Sequence, residues 1–166
     1  MAIQRLIDVL NQLDDVHQTM LTSGQAKKEV IMKDDIESLI QIMNQESRVM
    51  KRIAALEEER VDACQAFLQE KGIKSALNLT ITELARLVFD PEEKASLLEA
   101  QAMLSMTLEK LKSVNDLNQM LLAQSLTFID FSLALLGGEP ASEATYQHPS
   151  DKSGTGPITG LFDARA

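Results

Sequence analysis

Catalytic and metal sites need acids, bases or nucleophiles that converge, and this sequence has only two histidines and one cysteine to contribute. Asp14 and His17 have the three-residue spacing of the carboxylate–histidine pairs that hold di-metal centres in helix bundles. Such a centre needs a second pair and two further inward-facing carboxylates, and the other histidine, His148, lies in the C-terminal segment. We therefore predict no metal site, and we interpret His17 as a polar residue on the core-facing side of a helix.

The other groups that could do chemistry also have a structural interpretation. Cys64 is the only cysteine, and it lies on an apolar helical stripe, which favours a buried thiol over a nucleophile. A single cysteine excludes a disulfide within one chain and fits a reducing compartment. Gly154-Thr155-Gly156 lacks the strand, the helix and the lysine of a phosphate-binding loop. The sequence therefore predicts a protein that is not an enzyme and needs no cofactor.

The overall charge restricts the class of partner. The formal net charge is -9 at pH 7, whereas nucleic-acid binding requires lysine and arginine gathered on one face. The same acidity argues against an anionic membrane surface. The N-terminal residues do not have the pattern of a signal peptide, and no uncharged run approaches the roughly 20 residues of a membrane span. We therefore expect a soluble cytosolic protein that binds neither nucleic acid nor membrane.

The elements that position these residues are predicted to be helices. Ala, Leu, Ile, Met, Gln, Glu and Lys dominate the composition, and aromatic residues make up only 4%. Apolar residues recur at helical spacing over residues 2–32, and we expect this helix to continue through Gly24. A second helix is predicted from about Ile36 to Lys71, where Gly72 ends it. The residues of this helix predicted to face inward are Ile36, Leu39, Ile40, Met43, Met50, Ile53, Val61, Cys64, Phe67 and Leu68.

Two capping patterns mark the remaining helices. Thr80-Ile81-Thr82-Glu83 matches a capping box, and a short helix to Phe89 follows. Asp90-Pro91-Glu92-Glu93 combines an N-cap, a first-turn proline and a glutamate, and its helix meets no breaker before Gly137. Because the connections are short, the long helices should be antiparallel neighbours. The sequence predicts an all-α fold: an elongated antiparallel three-helix bundle or coiled coil, with one short extra helix and a flexible C-terminal tail.

The composition changes at the end of the last helix. From Gly137 onward the chain holds five of the seven glycines and three of the four prolines, with little apolar material before Ile158. Such a composition favours a segment that is disordered or extended in isolation. We therefore predict a helical domain over residues 1–137 and a flexible tail over residues 138–166 that ends in a short apolar motif.

The last helix carries more apolar surface than one bundle face needs. At about 100° per residue, a first stripe, predicted to be the core seam, runs the length of the helix; Asn115 and Asn118 interrupt it and could fix register. A second stripe, about 150° around the helix, appears only in the C-terminal half. This surface is either a docking groove for an amphipathic partner helix or a contact with sister helices or a second copy. The first stripe comprises Leu97, Leu104, Leu108, Leu111, Leu122, Leu126, Ile129, Leu133 and Leu136, and the second comprises Leu117, Met120, Leu121, Phe128, Phe131 and Leu135.

The same region carries a resemblance to a known family. Residues 115–122 read Asn-Asp-Leu-Asn-Gln-Met-Leu-Leu, and residues 125–131 read Ser-Leu-Thr-Phe-Ile-Asp-Phe. This run resembles the last helix of FlgN-type flagellar export chaperones. The order of elements over residues 2–137 is similar to that of the family, and the ending Gly160–Ala166 resembles that of members from Gram-positive bacteria.

The resemblance implies a function that composition does not show. FlgN-type chaperones bind the C-terminal helical segments of the hook–filament junction proteins, prevent their premature assembly, and deliver them to the cytoplasmic domain of the flagellar export gate. Tyr146 is a candidate gate contact, although an ordinary linker tyrosine fits the sequence equally well. Leu161 and Phe162 are either a short binding motif or a segment that folds back over the groove. The implied cargo-binding residues are Leu117, Met120, Leu121, Phe128, Phe131 and Leu135.

A structural coiled-coil adaptor is the alternative function. Such a protein would self-associate through Phe128 and Phe131 and would have no dedicated cargo. An empty chaperone could also form a homodimer through the same surface. The mass of the protein in solution separates a self-associating adaptor from a monomeric chaperone.

Overall fold

The computed structural model describes residues 1–74 and 79–137, and this part of the chain consists of α-helices without a strand. The predicted all-α helical bundle is therefore confirmed. The third helix ends at Ala85, four residues before the predicted end at Phe89. None of the described helices is apolar over a length sufficient to cross a bilayer. The helices are α1 (Ala2–Met32), α2 (Ile36–Glu70), α3 (Ile81–Ala85) and α4 (Pro91–Leu135).

Backbone contacts divide the chain into two compact units, Met1–Ser125 and Leu126–Ala166. The first unit contains α1, α2, α3 and the part of α4 up to Ser125. The described part of the second unit is residues 126–137, which comprises the last turns of α4 and the turn that follows.

Local hydrogen bonds explain where the helices of the first unit begin and end. Asp34 follows α1 with a positive φ of 53°, which lets the chain turn directly into α2. The Asp35 carboxylate then accepts hydrogen bonds from the backbone N–H and the hydroxyl of Ser38, at 3.1 and 2.6 Å. These bonds cap α2, and they lower the pKa of the Asp35 carboxyl. Gly72, with φ +76°, ends α2 as predicted.

The predicted caps of α3 and α4 also form. The backbone N–H of Glu83 donates to the Thr80 hydroxyl at 3.3 Å, and the Glu83 carboxylate accepts from the Thr80 backbone N–H at 2.8 Å. The Asp90 carboxylate accepts from the backbone N–H groups of Glu92 and Glu93, at 2.9 and 3.0 Å. The helical conformation is disfavoured for a residue before proline, so Asp90 cannot join α3 to α4 in one helix.

α1 and α2 form an antiparallel pair. The backbone N–H of Ala2 donates to the Glu70 carboxylate at 3.1 Å, so the start of α1 lies beside the end of α2. At the other end, the Lys27 ammonium pairs with the Glu46 carboxylate at 2.6 Å. Residue numbers therefore rise along α1 while they fall along the adjacent α2, as the short connection between them predicted.

α4 runs parallel to α1 within the first unit. Gln4 and Asn11 of α1 line one shallow cavity with Ser96 and Met103 of α4. Further along both helices, the carbonyl oxygen of Gly24 lies beside α4. Both helices therefore advance together from the same end of the unit.

The main core lies where α1 and α4 begin and α2 ends. Its members come from all four helices, which explains the role of the short α3: Leu84 is fully buried there. The apolar side chains of this cluster are excluded from water, which is the dominant stabilising contribution to the fold. The largest fully buried members are Leu6, Leu10, Phe67, Leu84 and Leu97.

The apolar face of α2 differs from the prediction. Phe67 and Leu68 are buried as predicted and Ile53 is partly buried, but five residues predicted to face inward are exposed. The side that packs on α1 includes Ile53 and also Leu56, which was not predicted to face inward, about 100–160° around the helix from Ile36. The apolar surface of α2 is thus two adjacent stripes, of which only one has a neighbour. The exposed residues are Ile36, Ile40, Met43, Met50 and Val61.

The close approach of α1 and α4 at Gly24 can be tested with a double-mutant cycle. Alanine is favoured over glycine in a helix interior by about 1 kcal/mol, but a Cβ at Gly24 would lie 3.0 Å from Cγ1 of Val114. We therefore expect Gly24→Ala alone to stabilise the fold by less than about 1 kcal/mol, and the full gain to appear only together with Val114→Ala. Urea unfolding of the wild type, both single variants and the double variant measures this coupling. Additive effects would contradict a close contact.

The reactivity of Cys64 tests its placement. Burial raises the pKa of the Cys64 thiol, against the opposing effect of the Arg60 guanidinium, so less thiolate is present at neutral pH. We expect iodoacetamide to alkylate Cys64 more slowly in the folded protein than in the same chain unfolded in urea at pH 7.5. Mass spectrometry at successive times gives both rates. A folded rate equal to or above the unfolded rate would identify an activated thiol and contradict the interpretation of Cys64 as a core residue.

Candidate partner-binding surface

The chemistry-bearing residues of the first helix do not converge on a site. The His17 ring Nδ1 lies 2.7 Å from the Leu13 carbonyl oxygen, one turn earlier in α1. The Asp14 carboxylate accepts a hydrogen bond from the Gln18 side-chain amide at 2.7 Å. Each side chain is therefore bound within α1. Among residues 1–74 and 79–137, no three His, Cys, Asp or Glu side chains come together in a way that could hold a metal ion.

A buried polar contact positions α4 in the first unit. The Asn118 side-chain amide Nδ2 donates to the Gly24 carbonyl oxygen at 2.8 Å, and Asn118 is only 3% exposed. Asn118 thus occupies the place on the seam that the sequence predicted for a register-fixing residue, whereas Asn115 is exposed. Because a buried amide is costly when it loses its partner, this contact favours one alignment of α4 on α1.

This contact determines which side of α4 faces outward in the first unit. The packed side includes two small or polar residues, Ala100 and Thr107, which the sequence did not assign to the core. Leu108, which it did assign to the core, is 42% exposed. The packed side comprises Leu97, Ala100, Thr107, Leu111 and Asn118.

Three of the predicted cargo-binding residues lie in the first unit. Leu117 and Met120 are exposed, and Leu121 is half-buried. Leu117 precedes the buried Asn118 by one residue and is therefore rotated about 100° away from the packed side. Met120 is rotated about 200° from Asn118, which places it on the opposite side of the helix.

The described part of the second unit has a densely apolar surface. Residues 126–137 include Asp130 as their single charged residue. The predicted cargo-binding residues Phe128, Phe131 and Leu135 are 70%, 61% and 71% exposed. We call the segment from Leu126 to Leu136 the apolar segment.

One prediction for the apolar segment was wrong. Its other large apolar residues were assigned to the core-facing stripe, yet all of them are exposed. The described part of the second unit contains only this one stretch of helix, so neither stripe has another element of the unit to pack on. Sequence periodicity identified both stripes but not the lack of a neighbour for the first. The residues concerned are Leu126, Ile129, Leu133 and Leu136, and Leu122 in the first unit is likewise exposed.

An apolar segment of this kind is unusual on a protein surface. A helix that is apolar on all sides is normally buried, and large exposed apolar patches mark interaction sites in soluble proteins. Phenylalanine carries the largest apolar area of the residues present here, and both phenylalanines of the segment are mostly exposed. The arrangement suits a contact with another apolar surface rather than a chemical reaction. Tyr146, Leu161 and Phe162, the predicted gate or tail contacts, lie outside the described residues.

Comparison with known proteins identifies the family. The profile of the family described as FlgN protein matches residues 1–154. The chain is also similar to an uncharacterized protein of Bacillus subtilis (strain 168), YvyG: 27% of residues are identical over 139 aligned residues, which cover 82% of this chain and 81% of that protein. No solved structure matches. Since the family match covers most of the chain and agrees with the resemblance found in its last helix, the chain belongs to the FlgN family of flagellar export chaperones.

Proposed function

We propose that this protein is a cytoplasmic chaperone that binds the C-terminal helical segments of flagellar hook–filament junction proteins through the exposed apolar side of α4. It prevents these proteins from assembling early and delivers them to the cytoplasmic domain of the export gate. The observation that carries the proposal is the apolar segment, with its seven exposed large side chains and its single charge. The family supports the role of export chaperone in general.

The binding mode follows from the chemistry of the exposed side chains. A partner helix that is apolar on one face can cover Phe128 and Phe131 without any change in covalent chemistry. Two exposed phenylalanines can each contribute roughly 3 kcal/mol of gross burial energy when a partner covers about 120 Å² of ring and stem. Part of this energy is offset by the ordering of the partner segment, so the complex can dissociate when the cargo is handed over.

The exposed methionines suit a surface that accepts more than one sequence. Seven of the eight methionines are exposed, among them Met120 in the predicted cargo-binding stripe. The unbranched thioether side chain adapts its shape to different partners at little cost. The proposal therefore includes Leu117, Met120 and Leu121 as binding residues alongside the apolar segment. Docking at the export gate is assigned to Tyr146 on the family resemblance alone.

A self-associating adaptor is the second candidate function. The observation that favours it is that both stripes of the apolar segment are exposed, so two copies could cover one another. This arrangement would leave no surface for a cargo helix. Analytical ultracentrifugation of the wild type, with and without a junction-protein segment, distinguishes a stable homodimer from a monomer that forms a heterocomplex.

Replacing the two phenylalanines tests the cargo-binding surface. We expect Phe128→Ala/Phe131→Ala to weaken binding of the C-terminal segments of the junction proteins by about 30-fold or more, since buried aromatic anchors typically contribute about 2 kcal/mol or more. Isothermal titration calorimetry with purified segments from the same organism measures the dissociation constants. Circular dichroism establishes that the variant keeps its helical content.

Phe89→Ala is the matched control for this experiment. Phe89 is 86% exposed, outside α4, and its ring lies 5.0 Å from the Lys71 ammonium. The substitution removes the same side chain from an exposed position, so we expect unchanged binding. Equal losses in Phe89→Ala and in the double variant would show that the apolar segment is not the binding surface. No binding by a monodisperse wild type would contradict the cargo assignment itself.

A further inference from the structure

The apolar segment needs a cover when no partner is bound. Its two exposed apolar stripes lie about 150° apart around the helix, and a polar edge that includes Asp130 separates them on one side. Exposed apolar surface of this extent drives association or precipitation in an isolated protein. A segment of the same chain that covers this surface, and that a partner can displace, would prevent association and still allow binding.

The chain itself contains a candidate cover. Residues 138–166 follow the apolar segment, and their large apolar residues other than Tyr146 are Ile158, Leu161 and Phe162. These three residues have i, i+3 and i+4 spacing, which is the spacing of residues that share one side of a helix. We propose that Ile158, Leu161 and Phe162, called here the terminal cluster, cover the apolar segment of the same chain when no partner is bound.

The length of the intervening chain permits this contact. About 20 residues separate Gly137 from the terminal cluster, and a random-coil connector of that length has a root-mean-square span of about 25 Å. The apolar segment itself is only about 15 Å long. A connector of this reach holds the terminal cluster near the apolar segment at an effective concentration on the order of millimolar. Three apolar side chains can therefore shield part of the segment even with weak intrinsic affinity.

The charges on the two surfaces do not oppose the contact. Asp130 is the single charge of the apolar segment, and residues 158–166 carry one acidic residue, Asp163, and one basic residue, Arg165. The charges of Asp163 and Arg165 cancel. The only like-charge pair that docking brings together is therefore Asp130 and Asp163. A second copy of the chain, at micromolar concentration, would compete poorly with a tethered segment at millimolar effective concentration.

The cover has a functional consequence, which rests on the proposed function. A partner helix must displace the terminal cluster, so the apparent affinity for cargo falls by the fraction of chaperone that is uncovered. The covered state protects the empty chaperone from self-association, and the displaced cluster becomes free only when cargo is bound. Cargo binding would then expose a sequence that the empty chaperone hides.

Disulfide trapping tests the contact directly. In a full-length Cys64→Ala protein, Ala134→Cys lies in the apolar segment and Ala164→Cys lies beside the terminal cluster. We expect oxidised glutathione to join them within one chain, and Leu161→Ser/Phe162→Ser to slow this reaction by about five-fold or more, because only random encounters of the connector remain. The matched control is Tyr146→Ser, which removes an apolar residue of the same tail and should leave the rate unchanged. Non-reducing gel electrophoresis follows the reaction.

Three outcomes would overturn the inference: equal rates with and without the terminal cluster, an equal loss of rate in Tyr146→Ser, or a product that is a dimer and disappears on dilution. A calorimetric measurement of cargo binding separates this failure from failure of the proposed function. If the wild type binds cargo but the trapping rate does not change when the terminal cluster is replaced, the inference is wrong and the proposed function is supported. If replacing the cluster slows trapping but the wild type binds no cargo, the inference is supported and the cargo assignment is wrong. If both hold, Leu161→Ser/Phe162→Ser should bind cargo more tightly than the wild type.

Discussion

The contact between Gly24 of α1 and α4 is the constraint on which the arrangement of the first unit depends. The missing side chain lets Val114 approach the α1 backbone, and the Gly24 carbonyl oxygen accepts the hydrogen bond from Asn118. A shift of α4 along α1 would separate Asn118 from the Gly24 carbonyl oxygen. If its amide stayed buried, the loss of this bond would cost about 1–3 kcal/mol. The Asn118 carbonyl oxygen Oδ1 already lacks a partner among the described residues. The contact therefore fixes the alignment of α4 on α1 more than it adds to the net stability of the fold.

The alignment at Asn118 determines which side of α4 is packed in the first unit and which side is exposed. Within the first unit, α4 has one packed side, and the neighbouring Leu117 and Met120 necessarily face away from it. In the second unit, the described helix carries two exposed apolar stripes and has no packed side. The same helix thus changes from an ordinary amphipathic element to one that is apolar over most of its surface. This change, rather than any cluster of reactive groups, is the feature of the chain that indicates a binding function.

The starts of α3 and α4 and the end of α2 were predicted well from the sequence because they depend on local chemistry, whereas α3 ends four residues before its predicted end. The capping box at Thr80 and Glu83, the Asp90 cap and the positive φ of Gly72 each involve residues within one turn. The asparagine on the α4 seam was also predictable, because a polar residue that interrupts an apolar stripe commonly fixes the register of the packed helices. The family could be read from the last helix for a similar reason: its unusual pattern lies in one continuous run of sequence.

The assignment of apolar stripes to neighbours was less successful. Ile36 and Ile40 in α2, and Leu126 and Ile129 in α4, were placed in the core and are exposed. Helical periodicity shows which residues share a face, but it contains no information on whether another element covers that face. A signal was available in α2: Ile53 and Leu56 belong to a stripe separate from Ile36 and Ile40. Two stripes on a helix with one close neighbour predict that one stripe remains exposed.

The apolar segment can remain helical without a packed neighbour because of how its backbone is built. It contains neither glycine nor proline, so it completes the hydrogen bonds of a helix without breakers. An isolated helix of this length would be marginal in water, since the first turn is costly to form. Here it continues the long α4, so nucleation has already occurred and each added residue gains one hydrogen bond. In the proposed complex, the partner meets side chains that are already arranged on a formed helix, so the entropy of ordering falls mainly on the partner segment. This division favours a complex that forms on a fixed template and releases its partner intact.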